Sequence, residues 1–319
     1  MPLIFELDAA FEDYIERFNK RYSSRSTRNS ARIDFLFTTA LVECNNFFYR
    51  RGESTYLMEV NKFADRRFVH YETSDENGQT TDQPGSPAED YKNLNGTALP
   101  DAVDYRDGGY VSTIIDDQGV CGCCWAFVTS YVIEANVKRR TGLLPRLSPQ
   151  HLVDCTWGFG NFGCTNGTVQ NSFHYVQQIK LMSYSSYPYE GRDDNRCRYR
   201  REDGITKISG YRWIIKNSTT SLRQALANHG PVAVSVYSSL PSFHSYKKGI
   251  YSNNHCQNKH IVGDHSMLAV GYGRDPKLGG FFILKNTWGE DWGEGGYMRL
   301  RDNGENACKI ASDALYPYI

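Results

Sequence analysis

The stretch Gln118-Gly119-Val120-Cys121-Gly122-Cys123-Cys124-Trp125-Ala126-Phe127 crowds three cysteines into a glycine-bearing turn that runs straight into an apolar helical pattern. Val128, Tyr131, Val132 and Ala135 continue that pattern at i, i+3, i+4 and i+7, so the spacing predicts a helix with one buried stripe, starting near Cys124 and stopping at Gly142. A thiol at a helix start sees the partial positive charge of unpaired N–H groups, which favours its ionised form. Cys124 is thus a thiolate more readily than most cysteines, and a thiolate is a nucleophile.

The chain has 319 residues, enough to bury one large core or two modest ones. Its 36 basic and 36 acidic residues cancel, so nothing points to nucleic acid or an anionic membrane surface. The charges are unevenly placed: residues 1–98 hold 12 Lys/Arg and 16 Asp/Glu, net −4, which leaves 24 and 20, net +4, for the rest. A mildly acidic front piece and a mildly basic remainder attract each other weakly. Nine cysteines lean towards an oxidising compartment, and the odd number leaves at least one thiol unpaired. Asn95-Gly-Thr, Asn166-Gly-Thr and Asn217-Ser-Thr are glycosylation acceptor patterns. No signal peptide is visible at Met1-Pro-Leu-Ile-Phe-Glu-Leu-Asp, and no stretch approaches membrane-spanning length.

In the front piece, Phe11, Tyr14, Ile15 and Phe18 repeat at helical spacing, and a second helix is predicted to carry Ile33, Phe37, Ala40, Leu41, Cys44 and Phe48 on its buried face. A short strand is expected from Tyr56, followed by a turn. Residues 66–98 lose all periodicity and collect Asp, Glu, Asn, Gly, Pro and Thr, the composition of a linker. Extended, those roughly 33 residues reach on the order of 100 Å.

Helix, helix, strand and then Asn61-x-Phe63-x-Asp65 resembles the inhibitory propeptide of papain-like cysteine proteases, with Phe35, Val42 and Asn46 matching part of the long-helix pattern and Glu59 standing where glycine is expected. Leu99-Pro-Asp-Ala-Val-Asp-Tyr105-Arg resembles the start of the mature enzyme, with Tyr105 in place of a tryptophan. Gln118 to Phe127 matches the nucleophile segment, with Cys123 at a position that is serine or alanine in the family signature. Because Trp125 follows Cys124 and the helix starts there, Cys124 is the nucleophile and Cys123 a packed, oxidisable neighbour. The resemblance covers nearly the whole chain and implies an α+β, two-domain fold. A helical left domain and a β-barrel-like right domain would fill residues 99–319, behind an α-helical propeptide with its linker over 1–98.

What the resemblance implies for chemistry is specific. His265, in Gly263-Asp264-His265-Ser266, lies 141 residues after Cys124 and would take the thiol proton, then return a proton to the leaving amine. Asn286, in Lys285-Asn286-Thr287-Trp288-Gly289, would orient the imidazole, with Trp288 shielding the bond between them. Gln118 would give a side-chain N–H to the tetrahedral oxyanion beside the backbone N–H of Cys124. Gly167, Thr168, Val169, Gly263 and Ser266 would line a peptide cleft, with an apolar preference at the substrate residue second from the scissile bond. The implied disulfides are Cys121–Cys164, Cys155–Cys197 and Cys256–Cys308, leaving Cys44 and Cys123 free. His70, His151, His174, His229, His244, His255 and His260 are expected to serve local hydrogen bonds. Glycans are expected at Asn95 and Asn217 and not at Asn166, where one would obstruct the cleft.

With no loop resembling a block at one end of the groove, the expected activity is that of an endopeptidase zymogen, activated by removal of residues 1–98 with cleavage near Leu94–Leu99. It would be a lysosomal, endosomal or secreted monomer with protein or peptide substrates, its own propeptide as intramolecular inhibitor and cystatin-type inhibitors as possible partners, without metal or cofactor. Two alternatives keep the same residues: a thiol–disulfide oxidoreductase using Cys121-x-x-Cys124, or a catalytically silent relative acting as a binding protein. A zinc site from Cys121, Cys123 and Cys124 lacks a second ligand pair at suitable spacing.

Overall fold

A computed structural model describes residues 2–67, 98–194, 196–257 and 260–319. Most of the linker expected over 66–98, including Asn95 and Leu94, and His70 lie outside these residues. The chain opens with α1 (Pro2–Arg17) and α2 (Arg25–Arg50). Ser24 caps α2: its hydroxyl accepts the Thr27 N–H at 3.1 Å while the Thr27 hydroxyl accepts the Ser24 N–H at 2.9 Å. Phe11 and Tyr14 of α1 pack on Phe35 of α2 at ring-centroid distances of 5.3 and 4.8 Å.

The buried face of α2 is not the one its apolar spacing pointed to. Ala31, Phe35, Thr38 and Val42 face inward, whereas Ile33 and Phe37 are 57% and 61% exposed and Cys44 and Phe48 also face solvent. Two asparagines set this rotation. Asn45 Nδ2 donates to the Tyr56 carbonyl at 2.9 Å, and the Asn46 amide closes on both the N–H and the C=O of Met58, each at 2.9 Å. These amides satisfy one edge of strand β1 (Tyr56–Met58), whose backbone polar groups would otherwise be unpaired.

Residues 99–319 begin with β2 (Val103–Asp104), then α3 (Cys124–Thr141), α4 (Pro149–Cys155), α5 (Val169–Gln178) and a small pair of strands, β3 (Leu181–Met182) and β4 (Gly204–Thr206). After it come β5 (Gly210–Trp213), α6 (Thr219–His229), β6 (Val232–Val236), α7 (Pro241–His244), β7 (Tyr246–Tyr251), β8 (His265–Asp275), β9 (Gly279–Lys285), β10 (Tyr297–Asp302) and β11 (Ala314–Tyr318). The large sheet runs β1-β7-β10-β9-β8-β6-β11-β5, with β2 added to β8. Its pairings are antiparallel except for β7 with β10. The front piece therefore contributes β1 as an edge strand, Tyr56 opposite Gly249 and Leu57 opposite Lys248.

Helix α3 ends at Gly142, whose φ of +79° suits a residue without Cβ. The single buried stripe expected for it is too narrow, since every residue from Trp125 to Ala135 is buried. The helix lies at the seam of the two halves, with α4 and α5 on one side and β6, β8 and β11 on the other. Disulfides join Cys121 to Cys164, Cys155 to Cys197 and Cys256 to Cys308 across 43, 42 and 52 residues. Loops of that length make each bridge worth about 3–4 kcal/mol.

Candidate active site

Cys124 is the first residue of α3, and His265 the first of β8, the strand that packs against that helix. Asn286 follows the last residue of β9, hydrogen-bonded neighbour of β8, so the sheet holds both polar side chains at the helix start. The Asn286 Oδ1 accepts the Thr287 N–H at 2.8 Å and lies 2.7 Å from His265 Nε2. Because a backbone N–H can only donate, that oxygen is an acceptor, so Nε2 carries the hydrogen. The other ring nitrogen, Nδ1, is left for the hydrogen bond His265 makes with the Cys124 thiol. The Ser266 backbone N–H points at the Cys124 sulfur from 3.4 Å.

Charge shifts follow from this geometry. Burial works against ionising Cys124, but the nearby His265 charge, its hydrogen bond and the Ser266 donor together hold the thiol below its ordinary value. Burial likewise opposes protonation of His265, and the Cys124 thiolate with the Asn286 bond outweighs it, so the imidazole is held above its ordinary value. An ion pair of thiolate and imidazolium is the state both shifts favour.

Trp288 covers the pair: its ring lies 4.6 Å from that of His265 and 4.4 Å from that of His244, and Asn286 is fully buried behind it. Gln118 sits opposite, its N–H on the Thr287 carbonyl at 2.8 Å and its Oε1 accepting the Thr287 hydroxyl at 2.6 Å. Its Nε2 donates one hydrogen to the Cys121 carbonyl at 2.8 Å, which leaves the second N–H of that amide for another acceptor.

The cleft at this centre has a volume of about 800 Å³. Gln118, Cys124, Gly167, Thr168, Val169, Gly263, His265, Ser266 and Trp288 all line it. At Gly167 a Cβ would lie 2.3 Å from the Trp125 indole, so only glycine lets the backbone rest on that ring at the cleft wall. Asn166 is exposed on the same rim, while Asn217 has its Oδ1 occupied by Asn306 and Ser312. Outside the cleft His151 accepts the Met182 N–H through Nδ1 and bonds Tyr175, and burial pushes it down to about 4.

Several cleft residues escaped the sequence. Phe63 and Arg66 of the front piece line it, as do His244, Trp213, Lys216, Ser235, Asp264 and Asp313. Asp264 accepts from the Ser238 N–H and hydroxyl and the Ser239 N–H, fixing the loop ahead of His265. Nothing local marks Asp313, which reaches the site only through sheet pairing. Its neighbour in the sheet is Ser235, whose N–H donates to the Asp313 carbonyl at 3.1 Å.

Residues 99–318 match the model of the family described as papain family cysteine protease. The chain is 34% identical over 313 residues to a cathepsin L-like protein of Caenorhabditis elegans, covering 97% of this chain and 91% of that one. It is 36% identical over 319 residues to cathepsin K of Mus musculus, covering 98% and 93%. The structure of digestive procathepsin L 3 from the larval midgut of Tenebrio molitor superposes with a TM-score of 0.84 at 31% identity, over 98% of this chain and 99% of that one. The front helices and the mature fold are both shared with that proform, and the chain belongs to the papain family of cysteine proteases, of the cathepsin L type.

Proposed function

We propose that the chain is the zymogen of a cysteine endopeptidase, with residues 99–319 as the peptidase and residues 1–98 as its intramolecular inhibitor. The observation that carries this is the convergence of Cys124, His265 and Gln118 on one open cleft, with the buried Asn286 bonded to the imidazole from behind. The Cys124 thiolate attacks the peptide carbonyl carbon, and the negative oxygen that forms is held by the Cys124 N–H and the free N–H of Gln118. His265 passes its proton to the leaving amine, whose departure leaves a thioester on Cys124. Water, giving a proton to the now neutral His265, attacks the thioester, releasing the acid and restoring the ion pair.

Inhibition by the front piece is supported by its seating. The Glu59 N–H donates to the Ser245 carbonyl at 2.8 Å and Asn61 Nδ2 to the His244 carbonyl at 2.7 Å. Phe63, 4% exposed, then inserts its ring 5.1 Å from Trp288 and 5.2 Å from His244. Behind it Asp65 accepts from Tyr14, Lys20 and Tyr22 at 2.8–2.9 Å, tying the inserted turn to α1 and to the connection that follows it. Release has to break those three bonds, and cleavage before Leu99 then frees the cleft. An acidic vesicle or a secreted setting suits such activation, and among the described residues no helix is long and apolar enough to cross a membrane.

Cys121 is bound to Cys164, so a Cys121–Cys124 redox pair would first have to open that bridge. A thiol-directed epoxide tests the assignment: after mild acid treatment, label on Cys124 alone and loss of proteolysis in proportion are expected. Labelled Cys123, or proteolysis that survives complete labelling, overturns it.

A further inference from the structure

Four polar atoms of Gln118 are held. Thr287 takes the N–H and donates to Oε1, the Cys121 carbonyl takes one amide hydrogen, and the Tyr189 phenol donates to the Gln118 carbonyl at 2.8 Å. The last contact extends one step further, since Cys123 Sγ lies 3.1 Å from the Tyr189 oxygen. The direction of both bonds is fixed. A carbonyl cannot donate, so the single phenolic hydrogen goes to Gln118, and the thiol must give its own hydrogen to Tyr189.

Burial of Cys123 keeps that hydrogen in place. The residue is wholly buried, and burial pushes its thiol up to about 12. It stands at the N-cap of α3, yet its side chain makes no capping bond. The Tyr189 ring is wedged edge-on against Phe127 of α3 at 4.7 Å. On its far side the Gln118–Gly119 peptide donates its N–H to Asp117 Oδ1 at 2.9 Å, and the chain then enters an exposed turn where Gly119 has a φ of +64° and Val120 is 92% exposed. The phenol is thus the anchor of the carbonyl from which this exposed rim departs.

We infer that Cys123 and Tyr189 are positioning residues for the oxyanion donor, a relay of S–H to phenol to Gln118 carbonyl that aims the Gln118 amide into the cleft. The inference rests on Gln118 acting as the oxyanion donor. It explains why the nucleophile can tolerate a second thiol beside it: the Cys123 hydrogen is committed, and its sulfur is a neutral donor aimed away from the cleft.

The two steps of the chemistry separate this from a merely structural role. Alkylation of Cys124 by iodoacetamide needs the thiolate, which displaces iodide, but forms no oxyanion; peptide hydrolysis needs both. The full chain is incubated at mildly acidic pH, and the parent is compared with Tyr189→Phe, Cys123→Ala, Cys123→Ser and Gln118→Ala, with alkylation read at Cys124 by peptide mapping. Tyr189→Phe and Cys123→Ala are expected to lower kcat about three- to tenfold with KM and the alkylation pH profile unmoved. Cys123→Ser, which still donates, is expected within about twofold of the parent. A crippled Gln118→Ala beside Tyr189→Phe at the parent rate overturns the relay alone. Gln118→Ala at the parent rate overturns the oxyanion assignment and the relay with it. Parallel loss of alkylation and hydrolysis in Tyr189→Phe marks a structural role and also overturns it.

Discussion

The Trp288 indole lies on the His265 imidazole with ring centroids 4.6 Å apart and planes inclined by 30°, closing the side from which water would reach the bond between His265 Nε2 and Asn286. That shelter makes the imidazole's hydrogen bond count in the charge balance of the pair.

In the proposed mechanism activity requires Cys124 ionised and His265 protonated. It should therefore rise with pH through the lowered pKa of the thiol, hold across a plateau, and fall as pH passes the raised pKa of the imidazole. Asn286→Ala removes one cause of the raised value. The alkaline limb of kcat/KM is expected to move to lower pH, with a loss on the order of tenfold at the plateau. An unmoved limb in a pH–rate profile would show that Asn286 does not govern the imidazole.

Phe63 of the front piece packs on the same indole, with ring centroids 5.1 Å apart. Phe63→Ala removes a buried ring and should cost about 3 kcal/mol of docking, on the order of 10²-fold in the seated fraction. The variant zymogen is expected to process itself at higher pH and sooner than the parent. N-terminal sequencing over a pH series gives the result, and an unchanged onset would remove Phe63 from the inhibitory contact.

The sequence carried the site further than the surface around it. Cys124, His265 and Asn286 stand in short local texts, a cysteine-rich helix start and two ends of strands, whose chemistry is legible without the fold. Helix α2 misleads because its orientation is decided by Asn45 and Asn46, polar residues that pair with strand β1 and leave Ile33 and Phe37 in solvent. Helix α3 looks amphipathic in its stripe yet is buried all round, because two layers meet on it, a fact of tertiary packing. Tyr189 and Asp313 join the site across 71 residues to Gln118 and through three strands respectively, distances no periodicity reports.

Asp313 bears on which peptides are cut. Its carboxylate lines the cleft among Val169, Ala233 and Leu315, and among the described residues no hydrogen bond or ion pair reaches it. Burial pushes its pKa up, with the Lys216 charge opposing. From Asp313, the step to Ser235 and then to Ser266 crosses two strand spacings, about 10 Å, and Ser266 adjoins the reacting sulfur. One residue of extended peptide and a lysine or arginine side chain span about that length. In place of a purely apolar preference at the second residue from the scissile bond, the cleft should accept an apolar stem ending in a basic head. Asp313→Asn should reduce kcat/KM about tenfold for arginine there and leave leucine within about twofold. Equal effects on both peptides would exclude the carboxylate from selection.

Stability should also depend on pH through Glu134, on the buried middle of α3. It accepts the Leu147 N–H at 2.7 Å, and burial pushes it up to about 8 from an ordinary 4.5. Between those values the folded chain keeps a proton that the unfolded chain releases, so stability falls as pH rises through the window and is fully present below it. Lys285, held down to about 8 by burial, adds no slope beneath that pH because both states keep its proton. His151, held down to about 4, works in the opposite sense between that value and 6.5, so the comparison must be with a variant and not with a slope alone. Glu134→Gln keeps an oxygen for Leu147 and cannot titrate. Its unfolding free energy relative to the parent, from denaturant titration, is expected to improve between pH 5 and pH 8 by an amount on the order of 1–3 kcal/mol. Parallel curves for the two proteins would mean that the buried carboxyl carries no proton in the folded chain.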